Sequence, residues 1–331
     1  MTTTGPQTKQ ALLASIRDLV ARGQRFLVTA HVKPDGDSIG SQLALAGVLR
    51  ALGKGVRVVN RDSAPPALHA FPGVSAIECR ADVEGPFDAV FVLECGDLDR
   101  TGLAALDRFT LVNIDHHPGN TLFGAVNWFD ETAAACGEMI FDVIGALGLP
   151  LTTEMATHLY VAILTDTGSF HYSALSPRTF DICRQLLEAG VDPVATARTV
   201  YDSNTVGRLR LFGMVMSTLE IDASGRLATI RLDRDTAVSS GGHADDTEGL
   251  INMPLTVPEV QAVVFFKEAD PGTFRVSFRS KGAIDVGAVA AGLGGGGHKN
   301  AAGCTVAGPL GAARAQVLPL VDEAISRALD A

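Results

Sequence analysis

A two-domain α/β protein is the fold class this sequence predicts: an N-terminal, mostly parallel sheet with helices on both faces, then a smaller α/β domain. Three observations predict it. Strand-like and helix-like periods alternate as β-α-β through the first half. The texture changes to short polar helical pieces near residue 190. The chain, at 331 residues with 47% hydrophobic and 19% charged content, is long for one domain and comfortable for two.

The elements follow in order. Residues 8–22, TKQALLASIRDLVAR, place apolar side chains at amphipathic-helix spacing, and RFLVTA (25–30) reads as a buried strand. An acidic loop follows, and from Ser38, a plausible N-cap, SIGSQLALAGVLRAL reads as a helix stopping at Gly53, with VRVVN (56–60) as the next strand. The pattern recurs in strands at 88–94 and 110–114 and in helical stretches at 132–148 and 153–165. Beyond 190 come VATARTVYDSN and VGRLRLFGMVM, then a hairpin signal around Ser224-Gly225. Strands at 261–268 and 273–280, a helix near 285–292, a glycine tract and a closing helix from about 310 complete the chain. The expected division is a catalytic domain at 1–190, a helical linker at 191–215 and a second domain at 216–331.

Bulk charge narrows the function. A formal net charge of −10 disfavours a surface that grips long nucleic acid through many phosphates, though a short phosphorylated ligand remains compatible. No run of eighteen or more uncharged apolar residues and no charged-then-apolar leader is present, so a cytoplasmic protein without a membrane span is expected. Cys79, Cys95, Cys136, Cys183 and Cys304 are scattered and contain no CxxC pair, which fits reduced thiols.

Ligands of open parallel sheets sit where loops converge at the carboxyl ends of strands. Here the first strand ends in His31, Asp35 and Asp37, the third runs into ECGDLDR with Asp97, and the fourth ends in Asp115, His116 and His117. Asp166 terminates an apolar helix. Each has a bland reading: Asp35 and Asp37 suit a PDGD turn, Ser38 an N-cap, His31 a core position. That reading does not explain why Asp and His recur at successive strand ends. So many carboxylates in one place need cations, and an oxygen-plus-imidazole set without thiolate suits manganese, magnesium or iron. The number of donors favours two ions, with Asp97 as the bridge. Asp99, Asp107, Asp130 and Asp192 read as surface or capping residues, and His69, His158 and His243 as structural.

The tract AGLGGGGHKNAAG (291–303) contains G-x-G-x-x-G, but a helix-like stretch precedes it where a dinucleotide fold needs a strand, and Lys299-Asn300 does not complete a P-loop. What remains is a phosphate or nucleotide cradle at Gly295, Gly296, Gly297 and His298. Arg279, Ser280 and Lys281 supply local positive charge, and Arg275 alternates onto their face.

In this order and at these intervals, HVKPDGDS, ECGDLDRTG, NIDHHPGN and LTDTGSF resemble the four motifs of the DHH phosphoesterases, and GGGGHKNAAG is similar to the DHHA1 signature. The layout is closest to the nanoRNase and pAp-phosphatase branch, which includes cyclic-di-AMP and pApA phosphodiesterases. The resemblance implies two manganese ions. His31 and Asp35 would hold one; Asp37, His116 and Asp166 the other; Asp97 would bridge them. It also implies that Asp115 orients His116, that His117 faces the phosphate, and that the protein is a homodimer. Many such relatives carry an arginine after TDTGSF; this chain has His171. The implied activity is hydrolysis of short oligoribonucleotides of the pApA type, of pAp to AMP and phosphate, and of cyclic-di-AMP. The alternatives are a RecJ-like single-strand exonuclease, a family II inorganic pyrophosphatase and a nucleotide sensor without catalysis.

Overall fold

The protein, as a computed structural model, is described for residues 8–171, 175–242, 247 and 249–329, and divides into two units, Met1–Ser203 and Asn204–Ala331. In the first unit α1 (Lys9–Arg22) is capped by Thr8 and buries Leu12, Ile16 and Val20, a four-residue repeat that makes one helical stripe. Then come β1 (Arg25–Thr29), α2 (Gly36–Ala51), β2 (Gly55–Asn60), β3 (Glu78–Cys79), β4 (Ala89–Leu93), β5 (Leu111–Asp115) and β6 (Val126–Phe129). The unit closes with α3 (Cys136–Ala146), α4 (Thr153–Asp166), α5 (Pro177–Glu188) and α6 (Pro193–Tyr201).

The six strands form one sheet in the order β3-β2-β1-β4-β5-β6, with every pairing parallel. Helices α1–α4 pack on one face, against Phe26, Val28, Phe91, Val112 and Ile114, and loops with short 3-10 turns carrying Val83, Leu103 and Leu106 cover Leu27, Val90 and Val92 on the other, so β4 and β5 are buried on both sides. From β1 the chain builds outward through β2 and β3, then returns to lay β4, β5 and β6 on the other side of β1. The strand order therefore reverses between β1 and β4, which opens a crevice at their carboxyl ends.

Helix α2 starts earlier than its sequence suggests. Asp35, not Ser38, is the N-cap, and its carboxylate accepts from the Ser38 backbone N–H at 2.9 Å. The helix is buried nearly all round, and it passes α4 so closely that a Cβ on Gly40 would lie 2.3 Å from the His158 carbonyl oxygen. Strand β6 carried no alternating signal, because Val126–Phe129 is a four-residue edge strand with only Trp128 fully buried.

The second unit contains α7 (Val206–Met216), β7 (Glu220–Ile221), β8 (Leu227–Leu232), α8 (Arg234–Ser240), β9 (Ala262–Asp270), β10 (Thr273–Ser280), α9 (Val286–Gly292), β11 (Gly296–His298), β12 (Ala301–Ala307) and α10 (Leu310–Leu329). Helix α6 thus falls in the first unit and α7 in the second, so the segment expected to be a linker is shared between them. The sheet order is β11-β12-β10-β9-β8-β7, with β8–β9 parallel and the other pairs antiparallel. Phe274, Val276 and Phe278 of β10 pack with Val289 of α9 and with Val317 and Val321 of α10. On the opposite face, Ile230 of β8 and Phe265 of β9 pack against Leu211 and Val215 of α7. Arg275, Ser277 and Arg279 alternate with the buried residues of β10 and share that second face.

Candidate metal centre

The crevice between β1 and β4 collects acids and imidazoles from four elements. His31, Asp35 and Asp37 lie between β1 and the first turn of α2; Glu94 directly follows β4; Asp115, His116 and His117 end β5; Asp166 is the last residue of α4. His116 sits at the focus. Its Nε2 is 3.3 Å from Asp166 Oδ2, 3.5 Å from Glu94 Oε1 and 3.9 Å from Asp37 Oδ2. Its Nδ1 lies 2.9 Å from the Ala133 carbonyl, an atom that can only accept, so Nδ1 carries a hydrogen and Nε2 is the nitrogen turned toward the acids.

Asp37 is buried and held by three donors: the backbone N–H groups of Cys136 (2.6 Å) and Gly137 (3.0 Å), which begin α3, and the Ser41 hydroxyl (2.8 Å). Gly137 permits this approach, because a Cβ there would lie 2.7 Å from that of Ala162. Glu94 is the opposite case. It is fully buried, neither carboxylate oxygen has a hydrogen-bond partner among the described residues, and its φ of +60° is left-handed for a residue with a Cβ.

Electrostatics records the strain. Burial pushes the Asp37 carboxyl up, with His116 opposing and Asp35 adding to it. Burial and then the charge of Asp37 push Glu94 well above the usual carboxylate range. The same two causes raise Asp166 to about 7. Burial opposes a charge on His116, but Glu94, Asp37 and Asp166 outweigh it and raise that imidazole to about 11. The residues present fit a divalent cation: Glu94 and His116 Nε2 are buried without hydrogen-bond partners, and the donors are oxygen and imidazole nitrogen. Two groups have ligand atoms close enough to share an ion, Asp37–His116–Asp166 and Glu94–His116–His117.

The remaining expected residues stand as follows. His31 Nε2 is 2.8 Å from Ser38 Oγ and 3.8 Å from Asp35 Oδ2, so these two neighbour each other, and Asp35 acts electrostatically on Asp37, Glu94 and Asp166. Asp97 is in neither ligand group; its carboxylate accepts from the Asp99 backbone N–H at 2.8 Å and caps the short 3-10 turn that follows. Asp115 addresses His117 rather than His116: its Oδ1 lies 2.9 Å from His117 Nδ1. Burial pushes Asp115 up, but the bonds from His117 and Asn120 prevail and hold it below the usual range. Glu94 is the site residue that sequence reasoning missed. Its signal was position alone, an acid closing the apolar run AVFVL. His69 and His158 each face a backbone carbonyl, of Ala64 and Pro72, at 2.9 Å, and His243 lies outside the described residues.

In the second unit, the Ser280 hydroxyl donates to the Ile284 carbonyl (2.8 Å) and accepts from Asn300 (2.9 Å), so it serves the local fold. Lys281 donates to the Val257 carbonyl at 2.9 Å. Arg279 is half-buried, with one N–H on its own neighbour's carbonyl. The glycine tract forms β11, an edge strand against β12. A Cβ on Gly295 would lie 2.2 Å from the Gly303 carbonyl oxygen, and one on Gly297, at φ +140°, 2.5 Å from that of Ala301. These two glycines are required by backbone packing, whereas a Cβ on Gly296 would meet nothing within 4 Å. The His298 side chain lies outside the described residues.

An open parallel α/β sheet with a buried carboxylate–imidazole cluster where its strand order reverses is an arrangement that fits divalent cations. Residues 25–163 match the DHH family N-terminal domain and residues 228–329 the DHHA1 domain. The chain is 33% identical to the bifunctional oligoribonuclease and PAP phosphatase NrnA of Thermus thermophilus, over 97% of this chain and 95% of that one. It is 26% identical to the protein of that name from Bacillus subtilis, over 85% and 89%. The crystal structure of an exopolyphosphatase-related protein from Bacteroides fragilis superposes with a TM-score of 0.89, covering 98% of both chains at 26% identity. The chain belongs to the DHH family, with a DHHA1 domain following the DHH domain. Among the described residues no helix is long and apolar enough to cross a membrane.

Proposed function

We propose that this protein is a metal-dependent phosphoesterase that hydrolyses short oligoribonucleotides to 5′-mononucleotides and converts pAp to AMP and phosphate. The observation that carries the reading is the convergence of Asp37, Glu94 and Asp166 on His116, with both Glu94 oxygens and His116 Nε2 buried and without hydrogen-bond partners among the described residues. The NrnA relatives, named for these two activities, support the substrate class. In this reading Asp37, Glu94, His116 and Asp166 would hold one ion and His31 with Asp35 a second, Glu94 rather than Asp97 being the acid of the β4 turn that faces the cluster, and manganese is the foremost candidate.

Divalent cations in such a site acidify a water molecule toward neutral pH and offset charge on phosphoryl oxygens. The protein's own contribution is positional. Ala133 and the start of α3 orient His116 and Asp37, and Asp115 holds His117 beside the cluster, where its outer nitrogen serves the phosphate. In the second unit, Arg275, Arg279 and the glycine tract are the groups with the charge and the strand edge to contact a nucleotide. The chain's acidity favours short substrates, and five free cysteines suit a reducing, cytoplasmic setting.

The test is a panel of pAp, pApA, cyclic-di-AMP, pyrophosphate and a 24-mer RNA, each with manganese and with EDTA. Cleavage of pApA and pAp that vanishes with EDTA is the expected result. Preference for the 24-mer would favour an exonuclease, preference for pyrophosphate a pyrophosphatase, and binding without turnover a sensor; each would overturn the proposal.

A further inference from the structure

Asn120, in the turn after β5, has no role in the reading above, yet it is bonded on all sides. Its Nδ2 donates to Asp115 Oδ2 (2.6 Å) and reaches the Cys95 carbonyl (3.3 Å), while its Oδ1 accepts from the Leu122 backbone N–H (2.8 Å). The next residue extends the tie: the backbone N–H and hydroxyl of Thr121 both donate to the Gly96 carbonyl, at 2.7 and 3.1 Å. Two turns are thereby laced together, one leaving β4 with Glu94 and one leaving β5 with His116 and His117.

Asp115 is the pivot. Its carboxylate is fully buried. Oδ1 takes the His117 backbone N–H (3.2 Å) and ring Nδ1 (2.9 Å), and Oδ2 takes Asn120. An ionised carboxylate only accepts, so the His117 ring must present Nδ1–H to it, which places Nε2 on the side of the ring away from Asp115. Glu94 Oε2, at 3.5 Å from the same Nδ1, is the competing acceptor. A buried carboxylate oxygen deprived of its donor is costly and turns toward whatever donor remains. Without Asn120, Asp115 would no longer be pinned in the orientation that outcompetes Glu94 for the ring. A neutral donor suits this place, because a cationic side chain would compete with divalent ions for the same acids.

We infer that Asn120 is a positioning residue for His117: through Asp115 it fixes the ring's orientation and tautomer, and through the Cys95 carbonyl it keeps that ring in register with Glu94. The consequence for turnover rests on the phosphoesterase reading; the consequence for the ring does not.

The test compares Asn120→Ala and the near-isosteric Asn120→Asp with wild type. In the metal-free protein, the 15N signals of the His117 ring, assigned by their loss in His117→Asn, report the tautomer. The wild type is expected to show a single Nδ1–H form and Asn120→Ala a mixture. With manganese and pApA, Asn120→Ala is expected to lose roughly tenfold in kcat, with KM and manganese affinity within about threefold of wild type. Asn120→Asp, which cannot donate and sets a second acid against Asp115, is expected to fall further. An unchanged ring signal in both variants would overturn the inference, as would a loss of activity fully restored by excess manganese, which would assign Asn120 to the metal ligands instead. Absence of turnover in wild type would sink the proposed function and leave the ring measurement to decide the role of Asn120.

Discussion

Replacing Asp166 by Asn should make the metal-free protein more stable, although it removes a site residue. Burial and the charge of Asp37 raise this carboxyl from 3.8 to about 7. The folded chain therefore retains a proton that the unfolded chain has released, and without cations stability falls as pH rises from about 4 through about 7, with the loss complete above that. A shift of about three units corresponds to a ceiling of about 4 kcal/mol. His116, 3.3 Å away and favoured in its charged form by Asp166, returns part of that cost, so about 2 kcal/mol is expected at pH 8. For a unit of this size that raises the midpoint of thermal unfolding by about 4–8 °C. The assay is thermal unfolding of wild type and Asp166→Asn in EDTA at pH 5, 6.5 and 8, repeated with manganese. The gap should shrink toward pH 5, and manganese should stabilise wild type while leaving the variant nearly unmoved. A variant no more stable than wild type at pH 8 in EDTA, or a wild type whose stability is flat across this range, would refute the claim that Asp166 is held in an environment built for a cation.

The other expectations separate neighbouring residues by role. Glu94→Gln should lower kcat by at least about 100-fold and manganese affinity by more than about tenfold, whereas Asp97→Asn, which alters one backbone cap, should stay within about threefold in kcat; equal losses in steady-state kinetics would return the bridging role to Asp97. His116, raised to about 11 without metal, must shed its proton to accept an ion. Apparent manganese affinity should therefore rise at least about tenfold per pH unit between pH 6 and 8, more steeply below about pH 7 where Asp166 also gives up its proton, with proton release visible by calorimetry in buffers of different ionisation enthalpy; affinity independent of pH would move the ion away from His116. Gly295→Ala drives a Cβ against β12 and should cost about 1–3 kcal/mol in denaturant unfolding, while Gly296→Ala, with open space around it, should not; a raised KM in Gly296→Ala at unchanged stability would mark that position as the nucleotide contact.

The fold and most of the centre were legible because their signals are periodic or positional. Buried strands such as AVFVL and LVNID announce a parallel sheet, and a sheet of that kind fixes where ligands go before any side chain is placed. The choice among acids was not legible. ECGDLDR offers Glu94, Asp97 and Asp99 within six residues, and one-dimensional spacing cannot say which follows the strand inward. Glu94, at a left-handed φ of +60°, faces His116 at 3.5 Å, while Asp97 caps its own turn, which is why the proposed reading favours Glu94. Ser280 and Lys281 show a similar limit: polar residues at a strand end advertise a ligand, and spacing alone does not reveal that Asn300 and the carbonyls of Ile284 and Val257 also engage them.

The acids of the centre also differ in what they do for the folded chain. Asp37 and Asp115 are each met by three donors, so they tie helix α3 and His117 in place whether or not an ion is bound. Glu94, with neither oxygen satisfied, only destabilises the fold when it is ionised and uncompensated. The imidazoles of His116 and His117 stand 3.5 Å from its two oxygens, so a divalent cation bound there would replace a loose contact with a direct partner. In the proposed reading the satisfied acids shape the cavity and Glu94 receives the ion.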